Sequence, residues 1–435
     1  MNRFPRLFRR LAGVCLIVLS GAAAADDEAR QRARELLEHL DVGRYTDAVA
    51  LFAPALAEAL PAERLHVFWA SLPALYGPRL QRGAASDEPF GSGYKVRIPL
   101  HHEQTTLLAE IGINARRQVA SLLLQPQMRP PQLEKNELFA ESALEIPLAQ
   151  GSLPATLTRP AGPGPFPGVV LVHGSGPHDR DEQIGGNRPF RDLAHGLAAH
   201  GIAVLRYDKR SRLRPADYAG DFSIDDETTD DAVAALKLLA EQPAIGPLFV
   251  FGHSQGAMLA PRIAGRAGSV AGAILWAAPA RPLATALVEQ LARIAAMDGS
   301  VSADEKRLID DIAAGLADIR AGVNPPRAEA PLQLPAAYWR SLEAVAAVAE
   351  AKQAGIPLLL LHGGRDYQVT DADWQAWRAA FADDPRATLR HYPALNHIGV
   401  AGEAPSRPEE YLQAGRVDRA LIDDAAAWIR ERAGH

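Results

Sequence analysis

From about Leu138 onward, unbroken apolar runs alternate with stretches of helical periodicity. Gly168-Val169-Val170-Leu171-Val172 and Leu248-Phe249-Val250-Phe251 place apolar side chains at consecutive positions. Successive side chains of a strand point to opposite faces, so such runs are buried on both faces, which requires a parallel sheet covered by helices. Strands are predicted at Leu153–Thr158, Pro167–Val172, Ile202–Tyr207, Leu248–Phe251, Ala273–Trp276, Pro357–Leu361 and Thr388–Tyr392. Helices are predicted at Phe190–His200, Thr228–Glu241, Ala257–Ala264 and Val417–Arg432. This alternation defines an α/β domain, a mostly parallel doubly wound sheet, over residues 138–435.

Within that frame, Gly252-His253-Ser254-Gln255-Gly256 follows a predicted strand and opens a predicted helix. A strand-to-helix turn this sharp strains its central residue, and flanking glycines remove the Cβ clashes that would block it. Ser254 is therefore the candidate nucleophile, although Pro261 is expected to kink the helix behind it. A serine needs a base, and the base needs an orienting carboxylate, in the chain order Ser, Asp or Glu, His. Asp366 and His397 meet that order, each in a loop just past the end of a predicted strand. Asp371 and Asp373 read instead as N-terminal caps of the next helix. The oxyanion donors are expected to be the backbone N–H of Gln255 and that of Ser175 in His173-Gly174-Ser175-Gly176, with Gly176 as second choice for the latter. His173 reads as structural support for that loop. The clusters Asp179-Arg180-Asp181-Glu182 and Asp208-Lys209-Arg210 read as ion pairs fixing it.

Residues from Pro282 to about Lys352 interrupt the alternation with Ala- and Leu-rich helical spacing at Ala284–Met297, Ala303–Ala317 and Ala337–Ala351. This insertion is expected to form a helical cap, with Trp339 and Leu342 candidates to face substrate or, more commonly for such residues, to pack in the core.

Ahead of the α/β domain, residues 26–130 change from helical periodicity to alternation. Helices are predicted at Glu28–Leu40, Thr46–Leu60 and Pro61–Leu75, and strands at Tyr94–Leu100, Thr105–Ile113 and Gln118–Leu124, giving a small α+β domain. Pro126, Pro130 and Pro131 read as a stiff linker. Residues 1–25 combine four arginines, an apolar run and a small-residue site before Asp26, the pattern of a secretory signal peptide. Cleavage there would remove the only cysteine and leave no membrane anchor. A periplasmic or secreted protein is expected.

The net charge of −6 offers no basic footprint for nucleic acid, and one cysteine excludes a disulfide framework or a Cys-based zinc site. No metal or cofactor is expected. A Ser-Asp-His arrangement fits acyl transfer to water and serves esters and amides alike, so a peptidase acting on small peptides stays open, as does a non-catalytic binding protein on the same fold.

His173-Gly174-Ser175-Gly176-Pro177 with Asp179-Arg180-Asp181, Leu205-Arg206-Tyr207-Asp208-Lys209-Arg210, Gly252-His253-Ser254-Gln255-Gly256, Asp366-Tyr367-Gln368-Val369 and Leu395-Asn396-His397 resemble the bacterial α/β-hydrolase family of EstD-type carboxylesterases. The resemblance covers most of residues 138–432 and implies Ser254 as nucleophile, Asp366 as acid and His397 as base. It also implies cofactor-free hydrolysis of short to medium acyl esters. By pattern alone, the small domain resembles the cone-shaped domain related to nuclear transport factor 2 that precedes such hydrolases.

Overall fold

The computed structural model describes residues 15–102, 106–127, 132–218, 220–297, 299–323, 334–403 and 405–434. Most of the expected signal segment lies outside the described residues; its described part, from Cys15, is helical. Among the described residues, no helix is long and apolar enough to cross a membrane. The chain divides into two compact units, Met1–Pro130 and Pro131–His435.

The first unit holds α1 (Cys15–Asp41), α2 (Tyr45–Ala50), α3 (Pro54–Ala59) and α4 (Ala62–Tyr76). Five strands follow: β1 (Arg79–Arg82), β2 (Ser86–Phe90), β3 (Gly93–His102), β4 (Thr106–Ile113) and β5 (Val119–Gln127). All neighbouring strands are antiparallel, in the order β1-β3-β4-β5, with β2 also on β3. Ala33, Leu36, Leu37 and Leu40 of α1 are buried in one cluster with Val96, Ile98 and Leu100 of β3. Two expectations are corrected here. The helix expected over Thr46–Leu60 is broken at residues 51–53, where Phe52 bridges Val119 and Ala53 N–H donates to Val119 O at 2.8 Å. Pro54 then starts α3, because proline suits a first turn and not a helix interior. Pro126 belongs to β5 rather than to a linker. This strand is at the sheet edge, where a residue without an N–H is tolerated.

The second unit is an α/β domain. Its elements are β6 (Phe139–Pro147), β7 (Ser152–Pro160), β8 (Phe166–Val172), α5 (Pro189–Ala199), β9 (Ala203–Tyr207), α6 (Arg210–Leu213), α7 (Asp230–Ala240), β10 (Ile245–His253), α8 (Gln255–Ala267) and β11 (Val270–Trp276). Then come α9 (Leu283–Ala295), α10 (Ala303–Arg320), α11 (Ala336–Glu343), α12 (Ala347–Ala354), β12 (Leu358–Gly363), α13 (Asp371–Phe381), β13 (Ala387–Tyr392) and α14 (Arg419–Ala433). The eight strands run in the order β13-β12-β11-β10-β8-β9-β7-β6. From β13 to β9 they are parallel; β7 and β6 complete the sheet antiparallel.

The unbroken apolar runs divide between the two faces residue by residue. Val170, Val172, Val250 and Leu275 join the core that includes Met258 and Leu259 of α8. Val169, Leu171, Phe251 and Trp276 join the opposite core, with Phe190 of α5 and Trp428 of α14. The chain leaves β8 towards β9 on one side and returns to β10 on the other. The loops that follow β8 and β10 therefore diverge at a topological switch point, which opens a crevice at the carboxyl ends of the strands.

Candidate active site

Ser254 stands in that crevice, between β10 and α8. Its backbone adopts φ 52°, ψ −118°, in the left-handed half of the map that a side chain normally avoids. Such strain costs about 1–3 kcal/mol and persists only where the surroundings enforce it. Here Ser254 N–H donates to Trp276 O of β11 at 2.9 Å, and Ser254 O accepts the Met258 N–H of α8 at 3.0 Å. The flanking glycines are required by close approach. A Cβ on Gly252 would lie 2.2 Å from Gly256 O, and one on Gly256 would lie 2.2 Å from Val172 O. Pro261 is accommodated inside α8, which continues to Ala267.

Asp366 follows β12, and His397 lies in the loop after β13. His397 Nδ1 meets Asp366 Oδ2 at 2.7 Å, with both side chains buried. A carboxylate only accepts, so Nδ1 carries a proton, and in the neutral ring the lone pair is on Nε2. Asp366 Oδ1 accepts the N–H groups of Gln368 and Val369 at 2.8 and 2.9 Å. Burial by itself raises the Asp366 carboxyl, but the facing His397 and the Val369 N–H hold it below the ordinary 3.8. Asp366 is therefore ionised at neutral pH. The His397 ring lies 4.7 Å from that of His253, the neighbour of Ser254. Among the described residues no hydrogen bond joins Ser254 Oγ to His397.

The strap after β8 reaches the same place, where a Cβ on Gly174 would lie 3.3 Å from Ser254 Cβ. Ser175 on this strap is exposed, and Gln255 heads α8, where first-turn N–H groups have no intrahelical partner. His173 is buried, and burial lowers it to about 3, so it is neutral. It donates from Nε2 to Asp179 O at 3.0 Å and packs on Phe190 and Tyr207, a supporting role.

The charge clusters pair with each other. Arg180 makes a buried two-pronged bond to Asp208, while Arg206 pairs with Asp181 and Glu141. Within its charge cluster Glu182 carries no separate assignment from the sequence, and its charged partner, His253, lies 71 residues away along the chain. Its Oε1 accepts the Gly174 N–H at 2.6 Å, and its Oε2 meets His253 Nδ1 at 2.9 Å. His253 Nε2 faces the carbonyl of His397 at 3.0 Å and must donate to it. Both ring nitrogens of His253 thus face acceptors, which makes it an imidazolium paired with the Glu182 carboxylate. Burial opposes charge on both, yet Glu182 is held down to about 2 by His253, and His253 is raised above 6.5 by Glu182. One ion pair thereby ties together the strap, the serine turn and the histidine loop.

This pair has a pH signature. The Glu182 contribution is complete above its ordinary 4.5 and is lost as pH falls towards 2. The His253 contribution is complete below its ordinary 6.5 and is lost as pH rises through its raised value. The pair therefore stabilises most between pH 4.5 and 6.5. Glu182→Gln leaves a buried cation without its partner and is expected to cost about 3–5 kcal/mol in that window. Urea midpoints measured against pH should show the gap from the parent narrowing as pH rises; a constant gap would contradict the ion pair.

Asp373 does not cap its helix. It is fully buried and accepts the N–H groups of Ala280 and Arg281 and the Arg281 side chain, anchoring the chain where it leaves β11 for α9. A sequence shows that an acid stands in a first turn, but not that a distant segment claims it. In the helical insertion, Trp339 and Leu342 pack in the core, while Tyr338 OH donates to Gln255 Oε1 at 3.3 Å. The segment expected as one helix over Ala337–Ala351 is two, α11 and α12. A cavity of about 960 Å³ between α9 and the loop after β12 reaches Asp366 and is lined by Arg293, Met297, Tyr367 and Arg407 among others.

An oriented carboxylate–imidazole pair whose histidine packs on His253, the neighbour of a strained serine, with N–H groups of Ser175 and Gln255 that have no acceptor among the described residues, is the equipment for acyl transfer. The family described as serine aminopeptidase, S33 (Hydrolase_4) matches residues 165–401. The chain belongs to this family of α/β-hydrolases. Esterase EstD of Thermotoga maritima is 32% identical to it over 400 residues, which covers 92% of this chain and 95% of that protein. An esterase of Pyrococcus furiosus shares 16% identity at a TM-score of 0.44, covering 70% of this chain and 97% of its own. Est1E from Butyrivibrio proteoclasticus shares 16% at 0.42, covering 67% and 99%.

Proposed function

We propose that this protein is a serine carboxylic ester hydrolase acting on short to medium acyl chains through an acyl-enzyme on Ser254. The observation that carries this reading is the 2.7 Å His397–Asp366 contact beyond the carboxyl ends of β12 and β13, in the same parallel sheet whose β10 ends at the strained Ser254 turn. The similarity to esterase EstD supports an ester as the substrate.

His397 Nε2 takes the Ser254 proton as Oγ attacks the ester carbonyl. The N–H groups of Gln255 and Ser175 hold the oxyanion. Collapse of the intermediate expels the alcohol, which takes the proton from His397. Water, deprotonated by His397, then attacks the acyl-enzyme and releases the carboxylic acid and Ser254. Asp366 keeps the imidazole in the required tautomer throughout.

The family description favours a second reading, peptidase action on small peptides by the same groups. Hydrolysis of nitrophenyl acetate, butyrate and octanoate beside aminoacyl nitroanilides separates the two. The esterase reading expects turnover of the acetate and butyrate esters with anilides at background; efficient anilide cleavage would move the peptidase forward. Residues 1–25 are proposed to export the chain to the periplasm or beyond, with the mature N-terminus at Asp26.

A further inference from the structure

The proposed oxyanion donor Ser175 N–H belongs to the same peptide group as the Gly174 carbonyl. That carbonyl accepts from Lys209 Nζ at 3.0 Å. The Lys209 side chain is 2% exposed, although an ammonium is rarely buried so fully without a purpose. Its counter-charge is Glu227, whose Oε1 lies 2.7 Å from Nζ. Glu227 sits in a π-helical turn, Asp225–Thr229, a rare geometry that recurs at functional sites. Ser211 Oγ and Thr228 Oγ1 donate to the same carboxylate. On its other side, Gln255 Nε2 lies 3.5 Å from Glu227 Oε2, and Tyr338 OH holds the Gln255 carbonyl oxygen.

The peptide is trans, so its C=O and N–H point in opposite directions. Fixing the carbonyl on a buried ammonium aims the Ser175 N–H the other way, out of the buried network. Among the described residues, that N–H has no acceptor. The charge also polarises the peptide and makes the N–H a stronger donor.

We propose that Lys209, held by Glu227, is a positioning residue for the oxyanion hole: it orients and polarises the Gly174–Ser175 peptide, while Glu227 also reaches the side chain of Gln255, which bears the second donor. This rests on the reading of Ser254 as nucleophile. The pair does not touch substrate. Its effect appears only when negative charge develops on the carbonyl oxygen.

The test compares the parent with Lys209→Met, which keeps the unbranched stem and removes the charge. Should that variant fail to fold, Lys209→Met/Glu227→Gln, which leaves no charge unpaired, replaces it. The folded fraction of each variant is measured by circular dichroism, so that misfolded protein does not enter kcat. The expected result is a kcat for nitrophenyl butyrate lower by on the order of 10²–10³, the cost of one oxyanion donor, with little change in KM. Inhibition by a trifluoromethyl ketone, whose adduct carries the oxyanion, should weaken by the same factor. A folded variant with parental kcat, or a fall in kcat with unchanged ketone affinity, would overturn the proposal. Ser254→Ala measured alongside separates this from the underlying reading: if it stays active, the nucleophile is wrong, and Lys209 is not the cause.

Discussion

Ser254→Ala is expected to lower kcat for nitrophenyl butyrate by on the order of 10⁶, the loss seen when a triad acts as a unit. Stability should hold or rise. Among the described residues the Ser254 hydroxyl has no hydrogen-bond partner within the protein, so its removal leaves no buried group unsatisfied. The turn itself is held by backbone bonds, Ser254 N–H to Trp276 O and Met258 N–H to Ser254 O, which alanine retains. Thermal unfolding of the variant should therefore match the parent while the rate collapses. A large fall in both would mean that the serine is structural.

Asp366→Asn is expected to cost on the order of 10⁴ in kcat, through the tautomer rather than through the fold. The N–H groups of Gln368 and Val369 demand an acceptor at the Oδ1 position. The new amide must place its oxygen there, which turns its NH₂ towards His397 Nδ1. An NH₂ donates, so Nδ1 gives up its proton and Nε2 acquires one. Nε2 then has no lone pair to take the serine proton. KM should change little, because Asp366 does not contact substrate in this reading. A loss below tenfold would mean that another carboxylate orients the histidine.

The parts of this architecture that depend on local chemistry were legible in the sequence. Val169–Val172 and Phe249–Phe251 are apolar at every position, and only a sheet covered on both faces accepts that. The Gly252 and Gly256 positions announce a turn too tight for side chains, and the ends of β12 and β13 present Asp366 and His397. What was not legible depends on partners far away in the chain. Glu182 and His253 are each ordinary in their own segment, and only the fold brings them into contact. Asp373 looked like a cap because a first-turn acid commonly is one, but the Arg281 segment takes its oxygens. The break before Pro54 is set by Val119, and the place of Pro126 in β5 by the position of that strand at the end of the sheet order. Strand β6 was missed because only Phe139 and Ile146 along it are buried hydrophobics, which leaves its alternation weak.

The central claim is that Ser254 is the nucleophile activated by His397. Labelling with a fluorophosphonate, followed by peptide mapping by mass spectrometry, tests it most directly, because the probe bonds only to a serine whose proton is being removed. The account predicts a single adduct on the peptide containing Ser254, absent in Ser254→Ala and formed far more slowly in His397→Ala. An adduct on a different serine, or full ester hydrolysis by protein that carries no label at Ser254, would contradict it.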